Sequence, residues 1–311
     1  MDTRMEIKRR TLWKGAGAAA LAGSVLNAAP ARAEPTGTVS LRWLGTNAWE
    51  FTTSEATVLI DPWISRFRTG TYKEGEFDPE TKIEVYPEAI DEHVGGADCV
   101  LVTHGHYDHI CDVPYVARKT GATVIGNESH LNFLRAMDAP EEQLAEVAGG
   151  ELYKFDGFTV EVFRSSHSAG RTHKTIAFGG SWPGSVPPRP KRINELLEGG
   201  SLTYLLDFGG VSFFNAGSAN FHHREIEGIR PTAVFVQPGG SHTPDYIERL
   251  LECTGYPPYV IATHWDDFDE PLTEPAVEGI RGGVARMRER VEAASPQSEF
   301  ILIDHLESHD F

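Results

Sequence analysis

The amino-acid sequence predicts an α/β fold in which helices cover β-sheet. Strand-like and helix-like segments alternate in the middle of the chain, with an apolar run at Thr123 to Ile125, an amphipathic run at Glu128 to Met137 and an alternating run at Thr159 to Phe163. The chain has 311 residues, of which 40% are hydrophobic and 16 are Phe, so it can bury a large core in one or two domains. Three of its apolar segments also lead directly into loops that contain histidine.

The first strands of the fold follow Thr38. Residues 39 to 43 alternate between apolar and polar side chains, Ala48 to Thr53 provides a partner after a Gly-Thr-Asn turn, and Thr57 to Ile60 forms a third apolar run. These strands are predicted to pair antiparallel at a sheet edge. Asp61, which precedes Pro62, has two interpretations: it orients a metal-binding histidine from behind, or it caps the end of the strand.

The most informative stretch is an H-x-H-x-D-H motif that follows a Val/Leu-rich run. That run, Ala97 to Thr103, is predicted to be a buried strand, and Asp108 is predicted to be the N-cap of a helix that extends to Arg118. Imidazole and carboxylate groups concentrated in one strand-to-helix loop are ligands for a borderline metal such as zinc. The candidate ligands of the motif are His104, His106, Asp108 and His109.

Two further histidines are candidates to complete a metal site. The strand predicted at Thr159 to Phe163 leads into His167, and His173 lies six residues further on as an alternative. Tyr259 to Thr263 is predicted to be a strand that ends at His264. Apolar strands that each end in a histidine are typical of a metal site at one edge of a sheet sandwich.

The remaining regular elements are predicted from hydrophobic periodicity. An Asp-Phe-Gly-Gly turn joins two apolar runs and indicates a hairpin. The predicted elements are strands at Leu202 to Leu206, Val211 to Asn215, Thr232 to Val236 and Glu299 to Ile303, and helices at Thr243 to Glu252 and Val277 to Val291.

Two segments lack clear periodicity. Residues 63 to 92 contain basic side chains, among them Arg66 and Arg68, between many acids, and residues 181 to 200 contain four prolines. A long irregular segment within a compact domain is typical of a functional loop. Both segments are candidates to face the metal site. The basic residues of the first either meet an anionic substrate or lie in a solvated insertion.

Residues 1–33 are predicted to be a twin-arginine export signal, and residues 34–311 the folded domain. Arg9-Arg10 precedes a weakly apolar Gly/Ala-rich run, and Ala31-Arg32-Ala33 provides a cleavage pattern before Glu34. The run is too short and too weakly apolar for a membrane anchor. We therefore expect a periplasmic or secreted protein without stable membrane insertion after cleavage.

The chain is strongly acidic, with 28 Lys and Arg residues, 45 Asp and Glu residues and a net charge of −17 at pH 7. Residues 1–33 hold six of the basic residues and two of the acidic ones, so the remaining domain is more acidic still. Such a charge repels nucleic acid, and a small-molecule substrate with no nucleic-acid partner is expected. The cysteines, Cys99, Cys111 and Cys253, are too few for a disulfide framework, and Cys111 is interpreted as a buried thiol.

These motifs resemble those of the metallo-β-lactamase superfamily, and the match covers nearly all of the chain after residue 33. The segment from Trp43 to Pro62 is similar to the branch that includes ascorbate-6-phosphate lactonase and N-acylphosphatidylethanolamine phospholipase D. The resemblance implies an αββα four-layer sandwich and a metal-dependent hydrolase. The positions that carry it are Asn47, Asp61-Pro62, the H-x-H-x-D-H motif, His167, Ala216-Gly217-Ser218 and His264.

The resemblance also implies a ligand set for one or two divalent metal ions, with zinc expected and Mn or Fe as alternatives. Most members have a carboxylate that bridges both metals where this chain has Ser218. The second metal is therefore expected to bind more weakly or to recruit Asp266 or Asp267, and one-metal and two-metal sites both remain open. The other interpretation of these two aspartates is that they cap the loop after His264. The implied sets are His104, His106 and His167 for one ion, and Asp108, His109 and His264 for the other, with Ser218 at the bridging position.

The chemistry expected of such a site is hydrolysis, because a zinc-type ion lowers the pKa of its bound water toward about 7 and polarises the bond under attack. Asp108 is the catalytic candidate to hold the attacking hydroxide or to receive its proton. His242 is either a donor to a developing oxyanion or substrate phosphate, or a structural residue at a helix start. His222 and His223 either line the cleft or lie on the surface.

Three functions fit these observations. The first is a hydrolase of a small ester or lactone, with or without a phosphate group. The second is a phosphodiesterase or phospholipase D-like hydrolase. The third is a non-catalytic metal-binding relative, in which Ser218 has disabled the two-metal site.

Overall fold

A computed structural model of the protein describes residues 38–170, 175–239, 243–272 and 275–311. The predicted export signal, residues 1–33, lies outside the described residues, as do His173 and His242. In the part of the chain that the structure describes, no helix has the length and apolar character needed to cross a membrane.

The strands follow one another along the chain with most of the helices between them. The strands are β1 Ser40–Trp43, β2 Trp49–Thr52, β3 Thr57–Ile60, β4 Cys99–Leu101, β5 Thr123–Gly126, β6 Leu144–Glu146, β7 Leu152–Lys154, β8 Thr159–Arg164, β9 Leu202–Asp207, β10 Ser212–Asn215, β11 Ala233–Val236, β12 Tyr259–Ala262, β13 Glu299–Ile301 and β14 Ser308–Asp310. The helices are α1 Pro87–His93, α2 Tyr107–Ile110, α3 Val113–Thr120, α4 Glu128–Ala136, α5 His223–Ile226, α6 Tyr246–Cys253 and α7 Gly283–Ala294. Short 3₁₀ turns lie at Glu141–Gln143 and Ile193–Glu195.

The strands form two seven-stranded sheets, in the orders β14-β1-β2-β3-β4-β5-β6 and β13-β12-β11-β10-β9-β8-β7. In the first sheet, β14, β1, β2 and β3 pair antiparallel and β3 to β6 pair parallel. In the second sheet, β7 to β10 pair antiparallel and β10 to β13 pair parallel. Each sheet therefore combines an antiparallel half, joined by short turns, with a parallel half that needs longer crossovers.

The hydrophobic core confirms the four-layer αββα arrangement. In β4, Cys99 and Leu101 point into the cluster between the two sheets, whereas Val100 points into a cluster with α1, α3 and α4. Because successive strand residues face opposite sides, both faces of the sheet are covered. On the second sheet, apolar residues of α6 and α7, such as Leu250 and Val291, join the central cluster. The layers are thus helices, sheet, sheet and helices.

The predicted helix from Asp108 to Arg118 is wrong in its start and in its continuity. Two helices occupy this region, α2 with His106 as its N-cap and α3 with Asp112 as its N-cap. Pro114 lies in the first turn of α3, where its missing N–H is not needed, whereas inside one continuous helix it would remove a hydrogen bond. Asp108 is therefore free of a capping role.

Two other predicted helices begin later than expected. The helix predicted from Thr243 begins at Tyr246, and the helix predicted from Val277 begins at Gly283. In each case the preceding residue has a left-handed backbone, with φ of 50° at Asp245 and 66° at Gly282, which interrupts a right-handed helix.

The sequence does not predict α1, nor the three-residue strands β6, β7 and β14. The strands lie at the ends of the sheets and are only partly buried, so their sequences lack an apolar pattern. Because β14 pairs with β1, the first three strands do not form the sheet edge that the sequence predicts. The three cysteines are free and buried, as expected for Cys111.

Candidate metal centre

Three histidine-bearing loops meet at the carboxyl ends of strands from both sheets. β4 of the first sheet leads into the H-x-H-x-D-H motif, while β8 and β12 of the second sheet lead into His167 and His264. The side chains form two groups, in each of which the candidate ligand atoms lie within 4.8 Å of one another. The groups are His104, His106 and His167, and Asp108, His109 and His264.

The first group presents three nitrogen atoms suited to a cation. Nε2 of His106 lies 2.8 Å from the carbonyl oxygen of Ala177, and Nδ1 of His167 lies 2.9 Å from that of Ser168. Since a carbonyl only accepts, these nitrogens donate, and the opposite nitrogen of each ring keeps a lone pair. Nε2 of His104 is buried and has no hydrogen-bond partner among the described residues. An orphaned imidazole nitrogen beside two lone pairs fits a divalent metal.

Burial keeps the imidazoles of the first group neutral. It lowers the pKa of His106 to about 3, lowers that of His104 well below its ordinary value and lowers that of His167. A histidine binds metal in its neutral form. These three side chains are therefore in their metal-binding protonation state at neutral pH.

The second group is charged. Oδ2 of Asp108 lies 3.2 Å from Nε2 of His109 and 3.2 Å from Nε2 of His264. Burial raises the pKa of Asp108, but His109 and His264 more than offset this and hold it well below its ordinary value. Burial lowers the pKa of His109, but the carboxylates of Asp108 and Asp61 more than offset it and raise the pKa to about 10. A proton thus sits where three ligand atoms converge, which is the position a cation would take.

Asp61 supports the second group from behind. Its Oδ2 accepts hydrogen bonds from Nδ1 of His109 at 2.6 Å and from Nδ2 of Asn47 at 2.7 Å, and its Oδ1 accepts from the backbone N–H of Thr103 at 2.7 Å. The contact with Nδ1 leaves Nε2 of His109 to face the site. Of the two interpretations of Asp61, the structure therefore shows the orienting contact. Its left-handed φ of 41° is a strained backbone of the kind found at functional sites.

The sequence matches the beta-lactamase superfamily domain over residues 40–243. The chain belongs to the metallo-β-lactamase superfamily. This range contains the H-x-H-x-D-H motif, His167 and Ser218, while His264 lies beyond it.

Relatives within the superfamily have related names. The chain is 26% identical over 261 residues to a UPF0173 metal-dependent hydrolase of Brucella anthropi. The aligned region covers 83% of this chain and 97% of that protein. It is 33% identical over 131 residues to the UPF0173 metal-dependent hydrolase Atu1317 of Agrobacterium fabrum, covering 42% of this chain and only about half, 49%, of that protein. The solved structure of Igni18, a metallo hydrolase from Ignicoccus hospitalis, has the same fold, with a TM-score of 0.56 at 20% identity over 88% of this chain and 98% of that one. The protein is a metal-dependent hydrolase of this superfamily.

Ser218, for which the resemblance implies the bridging position, lines the cavity with both groups. Its Oγ accepts a hydrogen bond from the backbone N–H of Ser168 at 2.9 Å. Of the two interpretations of Asp266 and Asp267, recruitment to the metal does not fit the structure. Capping of the loop fits Asp267, whose Oδ1 accepts from the backbone N–H of Asp269 at 3.0 Å. Asp266 is buried in contacts with Arg66 at 2.8 Å and His305 at 2.8 Å, which leaves its charge neutralised away from the site. Neither aspartate lines the cavity.

A cavity of about 230 Å³ opens onto both groups. None of its described lining residues is Lys or Arg. Besides the ligand groups, five aromatic side chains and several small or polar residues form its wall: Tyr72, Phe77, Tyr107, Phe178 and Phe268, with Thr71, Ser168, Ala177, Gly217, Ser218, Gln237 and Gly239. Apart from the ligand groups, the described wall thus combines five aromatic side chains with small and uncharged polar residues.

Of the two irregular segments, the segment 63–92 reaches this cavity and contributes Thr71, Tyr72 and Phe77. The expectation that residues 181–200 face the site is not confirmed, because none of them lines the cavity; Ala177 and Phe178, which do, precede that segment. The basic residues of the first segment point elsewhere. Arg66 pairs with Asp266, and the exposed Arg68 lies 3.7 Å from Glu76.

The second segment also shapes the metal-binding loop. The backbone N–H of Gly105 donates to the carbonyl of Glu198 at 2.9 Å. A Cβ atom at position 105 would lie 2.3 Å from the carbonyl oxygen of Leu197, so only glycine fits here. Gly105 therefore lets this segment cross directly over the motif.

His222 and His223 do not line the cavity. Nε2 of His222 lies 2.7 Å from Oγ of Ser166, and Nδ1 of His223 lies 3.0 Å from Sγ of Cys253, which favours the surface interpretation. His242 and His173 lie outside the described residues, so their roles stay predictions.

Sequence reasoning misses the aromatic wall, including Tyr72, Phe77, Phe178 and Phe268. The available signal is a set of aromatic residues within segments that lack periodicity. Such residues have no strand or helix pattern to explain them, which makes a ligand-facing position a reasonable hypothesis.

Proposed function

We propose that the protein hydrolyses a small, uncharged ester or lactone with an apolar or aromatic group. The observation that carries this proposal is the lining of the cavity, which is aromatic and contains no Lys or Arg among its described residues. Away from the ligand groups, the described lining offers no Lys or Arg side chain to pair with a phosphate. An uncharged ester needs no such partner, and the aromatic walls can bury its apolar part.

Two sets of ligands would hold the metal. His104, His106 and His167 suit one divalent ion, and Asp108, His109 and His264 suit another. We propose zinc, because sets rich in imidazole with one carboxylate are typical of it. When bound, such an ion supplies a nucleophile at neutral pH by lowering the pKa of water, and it polarises the substrate carbonyl.

The chain's own residues position the reactants and move the proton. Asp108 remains ionised at neutral pH, so its carboxylate can accept a proton from the attacking water and return it to the leaving alcohol. Asp61 keeps His109 in the tautomer that directs Nε2 toward the site. The aromatic residues exclude bulk water around the ester. His242 is proposed as a further donor to the substrate.

A substrate panel with a chelator tests this proposal. The protein is loaded with zinc and assayed with p-nitrophenyl acetate, p-nitrophenyl butyrate and dihydrocoumarin, and separately with p-nitrophenyl phosphate and bis(p-nitrophenyl) phosphate. We expect turnover of the esters and the lactone that is lost on chelation and recovered with zinc, and little turnover of the phosphates. His106→Ala serves as the control for activity from contaminants.

Two results would overturn the proposal. Faster turnover of bis(p-nitrophenyl) phosphate than of the esters would favour the phosphodiesterase alternative. Retained metal without chelator-sensitive turnover of any substrate would favour the non-catalytic alternative, with Ser218 as its cause.

We also propose that residues 1–33 direct export by the twin-arginine route to the periplasm. The support is the paired Arg9-Arg10 and the Ala31-Arg32-Ala33 pattern. Cell fractionation with N-terminal sequencing tests this: the periplasmic protein should begin at Glu34, and replacement of both arginines by lysine should block export. Full-length protein in the cytoplasm for both sequences would contradict it.

A further inference from the structure

We propose that Tyr72 is a catalytic hydrogen-bond donor, whose phenol hydroxyl donates to the carbonyl oxygen of the ester as that oxygen gains negative charge. This assignment rests on the proposed ester hydrolysis. Tyr72 lies in the irregular segment 63–92, far in sequence from every candidate metal ligand, and its side chain lines the cavity.

The ring of Tyr72 is held in place from two sides. Phe268 meets it in a T-shaped contact with the ring centroids 5.0 Å apart. On another side the backbone of Gly279 lies so close that a Cβ atom there would come within 2.4 Å of Cε2 of Tyr72. The neighbouring Thr71 is tied to the metal-binding motif, since its Oγ1 lies 2.8 Å from the hydroxyl of Tyr107. The ring therefore has a fixed place in the wall of the cavity that both ligand groups also line.

The hydroxyl of Tyr72 has no hydrogen-bond partner among the residues that the structure describes. The other hydroxyls of the wall are engaged, since Tyr107 is bonded to Thr71 and Ser218 accepts from the backbone of Ser168. No hydrogen bond joins the hydroxyl of Tyr72 to any described residue, although the ring is half-buried. A phenol hydroxyl can both donate and accept, so one that lines the cavity without a partner among the described residues is available to a bound ligand.

The protonation state of Tyr72 suits a donor. Burial, followed by the negative charges of Asp266 and Asp108, raises the pKa of its phenol well above the ordinary value. The hydroxyl therefore keeps its proton throughout the pH range in which the protein would work. It can donate a hydrogen bond but cannot act as a base or as an anionic nucleophile.

The role follows from how an ester is hydrolysed. The attacking oxygen forms a bond to the carbonyl carbon, and the π electron pair moves onto the carbonyl oxygen. The hydrogen bond from Tyr72 strengthens as this charge develops, without transfer of its proton. When the electron pair returns, the bond to the alcohol oxygen breaks, and that oxygen takes the proton that Asp108 received.

The first test is kinetic. Tyr72→Phe removes only the hydroxyl, and we expect kcat to fall by about 10²- to 10³-fold, as for the loss of one oxyanion donor, while KM changes little. Zinc content should be unchanged, because Tyr72 belongs to neither ligand group. The matched control is Tyr115→Phe, whose hydroxyl bonds to Asp91 at 3.0 Å outside the cavity wall, and it should retain normal kcat.

A series of aryl acetates with leaving groups of different pKa identifies the oxygen. If Tyr72 donates to the carbonyl oxygen, the loss in Tyr72→Phe should be the same across the series. A loss that shrinks as the leaving group improves would overturn this assignment, because the donor would then act on the departing alcohol. Unchanged kcat in Tyr72→Phe would also overturn it.

A binding measurement separates failure of this proposal from failure of the proposed function. Benzylphosphonate has charged oxygens on a tetrahedral centre, and its affinity for the zinc-loaded protein can be measured by calorimetry without turnover. We expect Tyr72→Phe to bind it about tenfold more weakly, equivalent to one hydrogen bond to a charged group. Equal affinities would overturn the role of Tyr72 even in an active esterase. If the natural protein hydrolyses no ester but Tyr72→Phe still binds benzylphosphonate more weakly, the donor role of Tyr72 is supported and the proposed ester hydrolysis is overturned. If the natural protein does not bind benzylphosphonate at all, both proposals are overturned.

Discussion

The two ligand groups of the metal centre differ in charge although they share one cavity. The first, His104, His106 and His167, consists of imidazoles that burial keeps neutral, each with one N–H and one lone pair. The second, Asp108, His109 and His264, holds an ionised carboxylate against a histidine that is protonated in the absence of metal. A metal can enter the first group directly, whereas at the second it must displace a proton.

This difference predicts which ion is affected more by Ser218, if the bridging position implied by the resemblance is correct. The first group is complete without a bridging carboxylate, because three imidazoles suffice for a tetrahedral ion with one open position. The second group has only one anionic ligand, Asp108. Asp61 is hydrogen-bonded to Nδ1 of His109 and is not itself a member of the group. The loss of a bridging charge should therefore weaken the second ion more than the first.

Removal of a first-group ligand should have the largest effect. His104→Ala deletes the nitrogen that lacks a protein partner, so we expect loss of the tightly held zinc and a fall in kcat/KM of about a thousandfold or more. Metal analysis after gel filtration and ester assays measure both. His264→Ala is the counterpart in the second group and should retain one zinc ion. Equal loss of zinc from the two variants would contradict the distinction between the groups.

Restoring the carboxylate should strengthen the second group. Ser218→Asp adds a negative charge beside both sets of ligands, and we expect the affinity for the second ion to rise by about a hundredfold, with metal content approaching two per chain. Competition with a chromophoric chelator measures it. Ser218→Ala removes the hydroxyl without adding charge and should leave the affinity nearly unchanged. A similar gain in both variants would show that charge is not the cause.

Weakening the support of His109 should act in the opposite direction. Asp61→Asn keeps the size of the side chain but removes the charge that faces Nδ1 of His109, so the second ion should bind about 10- to 100-fold more weakly. The same chelator competition applies, with thermal unfolding to measure the lost buried contacts. Asp91→Asn, which affects a surface pair with Lys119, is the control and should change neither quantity. A larger loss at the first ion would contradict the prediction.

The pH dependence of metal binding should also distinguish the groups. Without metal, the pKa of His109 is about 10, so below that pH a metal ion that binds the second group must displace one proton. The affinity of the second group for metal should therefore rise about tenfold per pH unit from pH 6 to pH 8. His106 has a pKa of about 3, so the first affinity should be nearly constant over this range. Calorimetry in buffers of different ionisation enthalpy counts the released protons. Release of one proton at each ion would refute the contrast.

The metal ligands are recognisable in the sequence because each lies in a local pattern. Four of them occupy one short motif, and His167 and His264 each follow an apolar strand, so the strand pattern and the ligand signal reinforce one another. The two sheets and most of their strands are recognisable for the same reason, since period-two alternation is a local property.

Features that depend on distant contacts are not recognisable in this way. The sequence places Asp266 beside His264, but Arg66, about two hundred positions earlier, neutralises it in the fold. Asp108 has the residue type of a helix cap, but its carboxylate faces His109 and His264 instead. The wall residues Phe77 and Phe178 are about a hundred positions apart in the sequence, yet their ring centroids lie 6.2 Å apart in the fold.

The contact at Gly105 also limits how this protein can be redesigned. The metal-binding motif and the strip around Leu197 and Glu198 fit together with no room for a side chain between them. They consequently form one structural unit, although about ninety positions separate them in the sequence. If only the motif, or only the segment around Leu197 and Glu198, were replaced by that of a relative, the two backbones would no longer pack against each other. Exchange of the substrate-facing loops in this protein requires both to be transferred together.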